Sequence, residues 1–257
     1  MELQGATVYV SGGASGLGAA TAERLSASGA TVAILDLDED RGGALADRLD
    51  GAFVRCDVSS EESVDAAFEA LLDQVGPPRV AICCAGIGAG AKVIGRKGPH
   101  PVESFERVVG VNLLGTFHVV RLAAWAMRDL EPLGPDGERG VLIMTASIAA
   151  TDGVDGGIAY SASKGGVRAM TLPLARDLAP WSIRAVSISP GSFDTPLVAG
   201  MPAEYAEAMS AQTPFPPRFG NPPEFGMLCE QVITNPMLNG TDLRLDGGIR
   251  MTPSRLR

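Results

Sequence analysis

The sequence predicts a single α/β domain built on one parallel, doubly wound sheet of seven strands, with helices on both faces. Three observations predict it. Short aliphatic and β-branched runs alternate with helical stretches along all 257 residues, as in parallel strands joined by crossover helices. The first strand runs into the glycine-rich turn Gly12-Gly13-Ala14-Ser15-Gly16-Leu17-Gly18, and a helix follows directly. No repeat or linker interrupts the pattern, so residues 1–257 read as one domain of Rossmann type.

Taken in order, Ala6–Ser11 reads as a buried strand, and a helix follows over 19–28. Glycines in the intervening turn let the backbone approach a pyrophosphate, which the positive helix N-terminus attracts. The strand Thr31–Leu35 ends at Asp36, where a carboxylate can accept hydrogen bonds from the adenosine ribose and repel a 2′-phosphate. NAD is therefore expected over NADP, with Asp38, Glu39 and Asp40 deepening the negative field. A helix over 39–49 and a strand over 52–56 lead to Asp57, placed to meet the adenine amino group.

A helix over 61–75, a strand over 79–83 and a turn through Cys84-Ala85-Gly86 come next. Residues 87–101 form a βα connection long enough to suggest a functional insertion, and it carries Lys92, Arg96 and Lys97. One helix is expected from Glu103 to Leu130, apolar nearly all round, with its outer face and that of the helix after Tyr160 buried between subunits. The fifth strand ends near Ser147, and a helix over 157–179 contains Pro173, which should mark a bend. The strand 184–189 runs into Pro190-Gly191, and residues 192–223, with Met201, Tyr205, Met209 and Phe215, read as a substrate lid. A helix near 222–235 and the strand Asp242–Leu245 close the domain.

Catalysis is expected at Ala159-Tyr160-Ser161-Ala162-Ser163-Lys164. Lys164 follows Tyr160 by one helical turn, on the same face. An ammonium ~4 Å from a phenolate is worth about 4 kcal/mol at an effective dielectric of ~20. That would bring the phenol, with an unperturbed pKa of about 10, toward neutrality, where acid–base chemistry is efficient. Ser147, at a strand end, is expected to hold a substrate oxygen while Tyr160 moves the proton.

Composition excludes other classes. A hydrophobic content of 46% and a mean hydropathy of +0.16 describe a chain with a substantial core. A net charge of −9 without a basic block argues against nucleic acid. No apolar run is read as long enough to cross a bilayer, and the segment before the first strand leaves no room for a signal peptide. A cytoplasmic protein without a membrane partner is expected. Cys56, Cys83, Cys84 and Cys229 have no C-x-x-C spacing and read as reduced, buried thiols. His100 and His118 are too few and too far apart for a metal site and read as structural.

Ser11-Gly12-x-x-x-Gly16-x-Gly18, Asp57-Val58, Ala85-Gly86, Asn112, Ser147, Tyr160-x-x-x-Lys164 and Pro190-Gly191 together resemble the short-chain dehydrogenase/reductase family, in order and in spacing. Ala159–Gly166, Ala175–Pro180, Pro214-Phe215-Pro216 and Leu245-Asp246-Gly247 are similar to its type-2 3-hydroxyacyl-CoA dehydrogenase and hydroxysteroid dehydrogenase branch.

The resemblance implies a tetrad. Tyr160 is the acid–base, Lys164 lowers its pKa and holds the nicotinamide ribose, Ser147 orients the substrate oxygen, and Asn112 keeps a water in the proton path. It implies NAD contacts at Gly12, Ser15, Gly16, Leu17, Gly18, Asp36, Asp57, Val58, Cys84, Ala85, Gly86, Tyr160, Lys164, Pro190, Gly191, Phe193 and Thr195. Cys83 stands where most relatives have Asn, and a thiol offers the central strands weaker hydrogen-bonding support. The implied activity is NAD-dependent interconversion of a secondary alcohol and a ketone by a homo-oligomer, a tetramer. The first-choice substrate is a 3-hydroxyacyl-CoA and the second a hydroxysteroid. An NADPH-dependent 3-ketoacyl-carrier-protein reductase is the rival enzyme, and a non-catalytic dinucleotide sensor the rival outside enzymes.

Overall fold

A computed structural model describes residues 1–88, 90–96, 98–196 and 203–251. Lys97, Met201 and the side chain of Tyr205 lie outside the described residues. The first half alternates β1 (Thr7–Ser11), α1 (Gly16–Ala27), β2 (Thr31–Asp36), α2 (Glu39–Arg48), β3 (Ala52–Arg55), α3 (Glu61–Val75) and β4 (Val80–Cys83). A short antiparallel pair, β5 (Ile94–Gly95) and β6 (Gly98–Pro99), precedes α4 (Val102–Val109) and α5 (Gly115–Met127). The second half holds β7 (Gly140–Thr145), α6 (Ala149–Asp152), α7 (Ile158–Leu178), β8 (Ile183–Pro190), α8 (Ala203–Ser210), α9 (Pro222–Thr234) and β9 (Asp242–Leu245).

The seven long strands pair in the order β3-β2-β1-β4-β7-β8-β9, all parallel. Strand order reverses between β1 and β4, so a crevice opens at the carboxyl ends there, where open parallel sheets bind ligands. Alternate strand residues divide the core. Tyr9, Leu35, Ala81 and Leu142 pack with Phe68 of α3, Val120 of α5 and Val167 of α7 on one face. Val8, Ile34, Ile82 and Ile143 pack with Leu25 of α1, Leu45 of α2 and Phe225 of α9 on the other. Both sheet faces are thus covered, which explains the continuous apolar runs that mark the strands.

Two expectations are corrected. The single helix over 103–130 is instead α4 and α5 joined by a π-helical turn, Gly110–Leu114, and helical structure ends at Met127. Val102–Met127 is also long and apolar enough to cross a bilayer by length and composition, contrary to the reading that no run was. It lies instead against the sheet, with Val108, Val119, Val120 and Met127 buried in the protein core. Within residues 87–101, the connection carries the short antiparallel pair β5–β6.

The outer face of this helix carries exposed Leu114, Phe117 and Trp125, as does α7 with Ile158 and Leu172. Pro173 sits inside α7. Cysteine at position 83 does not part the central strands. Cys83 pairs in register with Ser11 and Met144.

Candidate active site

A cavity of about 970 Å³ lies along the carboxyl ends of the strands. At one end, the glycine-rich turn approaches the β4 turn so closely that a Cβ on Gly12 would stand 2.4 Å from Ala85 N. Gly12 also takes φ +68°, the left-handed region that favours glycine. Asp36 closes this end. Its carboxylate accepts from Ala14 N–H at 2.9 Å and from Asp38 N–H at 3.1 Å, so the acid is locked to the loop it serves. Arg41 does not reach Asp36, because Asp38 holds its Nε at 2.7 Å. Asp57 accepts from Ser59 N–H and Oγ–H at 3.0 and 2.7 Å. A Cβ on Gly16 would touch Thr195 and Pro196, so the chain after β8 passes over the turn.

Tyr160 and Lys164 come from α7, and Ser147 from the turn after β7. The Ser147 side chain lies close enough to the Tyr160 hydroxyl to draw its pKa down, and Ser147 Oγ accepts from Ala149 N–H at 3.1 Å. Asn112, at the π turn, is wholly buried and does not line the cavity. Its Oδ1 accepts from Ile87 N–H at 2.8 Å, and its Nδ2 donates to Ile87 O and Ser163 Oγ, both at 3.0 Å. An inserted residue in a helix commonly marks a functional site, and here it aims Asn112 at the β4 turn. Gly86 fits between these groups: a Cβ there would come within 3.3 Å of Asn112 Oδ1 and 3.5 Å of Lys164 Nζ.

Electrostatics depart from the expectation. Tyr160 is shifted upward, chiefly because burial disfavours the phenolate, with the neighbouring Ser147 side chain opposing. Lys164 does not meet the phenol oxygen. Its Nζ donates to Thr145 O at 2.7 Å and lies 5.9 Å from the Tyr160 ring centroid. Burial brings the ammonium itself down to about 8. The spacing set both side chains on one face, but the lysine reaches past the ring to a strand carbonyl. In the protein alone the phenol is therefore held neutral rather than tuned toward pH 7.

The cavity fits a dinucleotide: every residue expected to contact NAD lines it, from Asp36 at one end to Tyr160 and Lys164 at the other. The short chain dehydrogenase family profile matches residues 6–206. The chain belongs to this family.

Across its length this short-chain dehydrogenase is 48% identical to 3-hydroxyacyl-CoA dehydrogenase type-2 of Bos taurus and of Homo sapiens, with 98% of each chain covered. A crystal structure of 3-hydroxyacyl-CoA dehydrogenase type-2 from Mycobacterium avium matches with a TM-score of 0.92 and 42% identity, over 97% of this chain and 98% of that one. The chain is an oxidoreductase of a family that uses nicotinamide cofactors, and the sensor reading falls away.

Sequence reading missed several contributors to this short-chain dehydrogenase site. Thr145 supplies the carbonyl that holds Lys164. Ser163 bridges Asn112 to the Tyr160 carbonyl, which accepts its hydroxyl at 2.8 Å; the three-residue step from Tyr160 on a helix could have revealed it. Arg107 and Met251 line the cavity without any motif to mark them. Of the apolar residues expected in the lid, Met209 faces the cavity, whereas Phe215 is 80% exposed.

Proposed function

We propose that the chain oxidises the secondary hydroxyl of a 3-hydroxyacyl-CoA, with NAD as cofactor. One observation carries this: the Ser147–Tyr160–Lys164 group stands at one end of a dinucleotide-sized cleft whose other end is Asp36. Gly12, Ser15, Gly16, Leu17 and Gly18 would hold the pyrophosphate on backbone N–H groups and the α1 terminus. Asp36 would take the ribose hydroxyls, and Asp57 and Val58 the adenine. Lys164 and the β8 end, Pro190-Gly191, would hold the nicotinamide half. NAD held by these residues would supply the hydride acceptor. Ser147 orients the carbinol oxygen, Tyr160 takes its proton, and Asn112 with Ser163 fixes the segment that carries the tyrosine.

The acyl-CoA choice rests on the whole-length similarity and on the insertion. Lys92 is exposed and lines a neighbouring cleft with Val154, Asp155 and Gly156, which also line the main cavity. Ala91 N–H donates to Gly156 O at 2.7 Å, joining the hairpin to this rim. Coenzyme A phosphates leaving the cavity here would meet Lys92 and Arg96, whereas a steroid would gain nothing. The exposed apolar faces of α5 and α7 support a homo-oligomer, a tetramer in this reading.

Following NADH with a panel of substrates tests the proposal. A 3-hydroxyacyl-CoA should be turned over with a kcat/KM above that of a hydroxysteroid, and with NAD well ahead of NADP. Asp36→Ala should shrink the cofactor preference by about tenfold or more, through loss of repulsion toward the 2′-phosphate. Equal use of both cofactors by the unmodified enzyme would overturn the NAD assignment.

A further inference from the structure

After β9 the chain turns back toward the catalytic strand ends, and one guanidinium organises that turn. Arg244 donates Nε to Asp246 Oδ2 at 2.8 Å and Nη2 to Ile249 O at 3.1 Å. Its other bonds reach across the sheet to α6. Nη1 donates to Asp152 Oδ1 and Thr151 Oγ1, both at 2.8 Å, and Nη2 to Asp152 Oδ2 at 3.0 Å. Asp152 Oδ2 accepts one bond more, from the backbone N–H of Met251 at 3.1 Å. The Asp152 and Asp246 side chains are only 9% and 8% exposed. Buried ion pairs return little net stability, but a two-point fork onto a carboxylate fixes geometry closely.

The question is what this fork fixes. α6 is the single turn that follows Ser147, and Asp152 N–H closes it onto Ile148 O at 2.9 Å. Met251 lines the cavity with Ser147, Tyr160 and Met209. Phe215 N–H donates to Gly247 O at 3.3 Å, so the base of the segment carrying α8 meets the same turn. The Ser147 turn and the chain leading to Met251 therefore converge on Arg244, and the base of the α8 segment meets the turn after β9 at Gly247.

We propose that Met251 is a binding wall for the apolar body of the alcohol, and that Arg244, acting through Asp152, is the positioning residue that holds it there. This rests on reading the cavity as the site of alcohol oxidation. A thioether chain is unbranched and polarisable and adapts to aliphatic groups of different length. Met251 and Met209 together give the cavity two such surfaces at the end away from Asp36.

Steady-state kinetics and amide exchange test the proposal in the full chain. Met251→Ala should raise KM about tenfold for a four-carbon or a ten-carbon 3-hydroxyacyl-CoA, with kcat and the KM of NAD within about threefold, the pattern of lost uniform binding. Arg244→Met should give the same split, and Arg244→Lys, which keeps charge but loses the fork, an intermediate one. The double variant should be no worse than the poorer single variant, because the two residues act as one unit. Fully additive losses, or a loss confined to kcat, would overturn the coupling.

Exchange at the Met251 amide needs no substrate. It should rise at least about tenfold in Arg244→Met, and an unchanged rate would remove the positioning role. Should Arg244→Met fail to fold, an unaltered KM in Met251→Ala for both chain lengths would overturn the wall by itself. Faster Met251 exchange in an enzyme that oxidises neither acyl-CoA would sink the functional reading and leave the positioning intact.

Discussion

Tyr160→Phe should lower kcat by roughly 10²–10⁴, the range that positioned proton transfer contributes, while NAD affinity stays within a few-fold. The ring remains to wall the cavity, and only the hydroxyl beside Ser147 is lost. The free protein makes a further demand. Burial raises the Tyr160 pKa there, so its phenol should titrate above the ordinary value of about 10. Any fall toward neutrality has to accompany cofactor binding. Ultraviolet difference titration of the free and NAD-bound protein measures both values. A phenol titrating near pH 7 without cofactor would contradict the geometry, in which Lys164 is spent on Thr145 O.

Lys164→Met should abolish most turnover and change how stability depends on pH. Burial lowers the lysine from 10.5 to about 8. The fold therefore disfavours its protonated form, and the penalty is fully present below pH 8. As pH rises from 8 to 10.5 the unfolded chain loses the same proton, and the penalty disappears. At about 1.4 kcal/mol per pH unit, the gap from 10.5 to about 8 is of order 3 kcal/mol. Met carries no such penalty. The bond it removes from Thr145 O costs much the same at every pH, so it drops out of the comparison across pH. The stability of Lys164→Met relative to the unmodified protein should thus be greater at pH 7 than at pH 10.5, by up to about 3 kcal/mol. Denaturant unfolding at the two pH values checks this, and a constant difference would place the lysine in a solvated site.

Much of the fold was legible because both sheet faces are covered. Strands buried on two sides read as uninterrupted apolar runs, and Asp36 marks its own strand end. The lining of the cleft was legible for the same reason: residues such as Asp36, Asp57 and Ala85 follow strands at fixed short distances. Less visible were features made by contact across the chain. Nothing in Gly110-Val-Asn-Leu-Leu announces a π turn, since each residue is compatible with an ordinary helix. The Tyr160–Lys164 spacing reported a shared face and not where a flexible amine would find its acceptor, which lies on β7. Apolarity along Val102–Met127 reflects burial on one side and exposed apolar side chains on the other, a combination that mimics a membrane span. Arg244 and Asp152 are ninety-two residues apart, and no local pattern pairs them.

Transfer of deuterium tests the central claim most directly. A 3-hydroxyacyl-CoA carrying deuterium on its carbinol carbon should be oxidised with NAD, and the label should appear in the reduced nicotinamide, with solvent protons excluded. Tyr160→Phe should suppress that transfer in proportion to its loss of kcat. Label lost to solvent, or undiminished transfer in Tyr160→Phe, would contradict direct hydride transfer driven by proton removal at Tyr160.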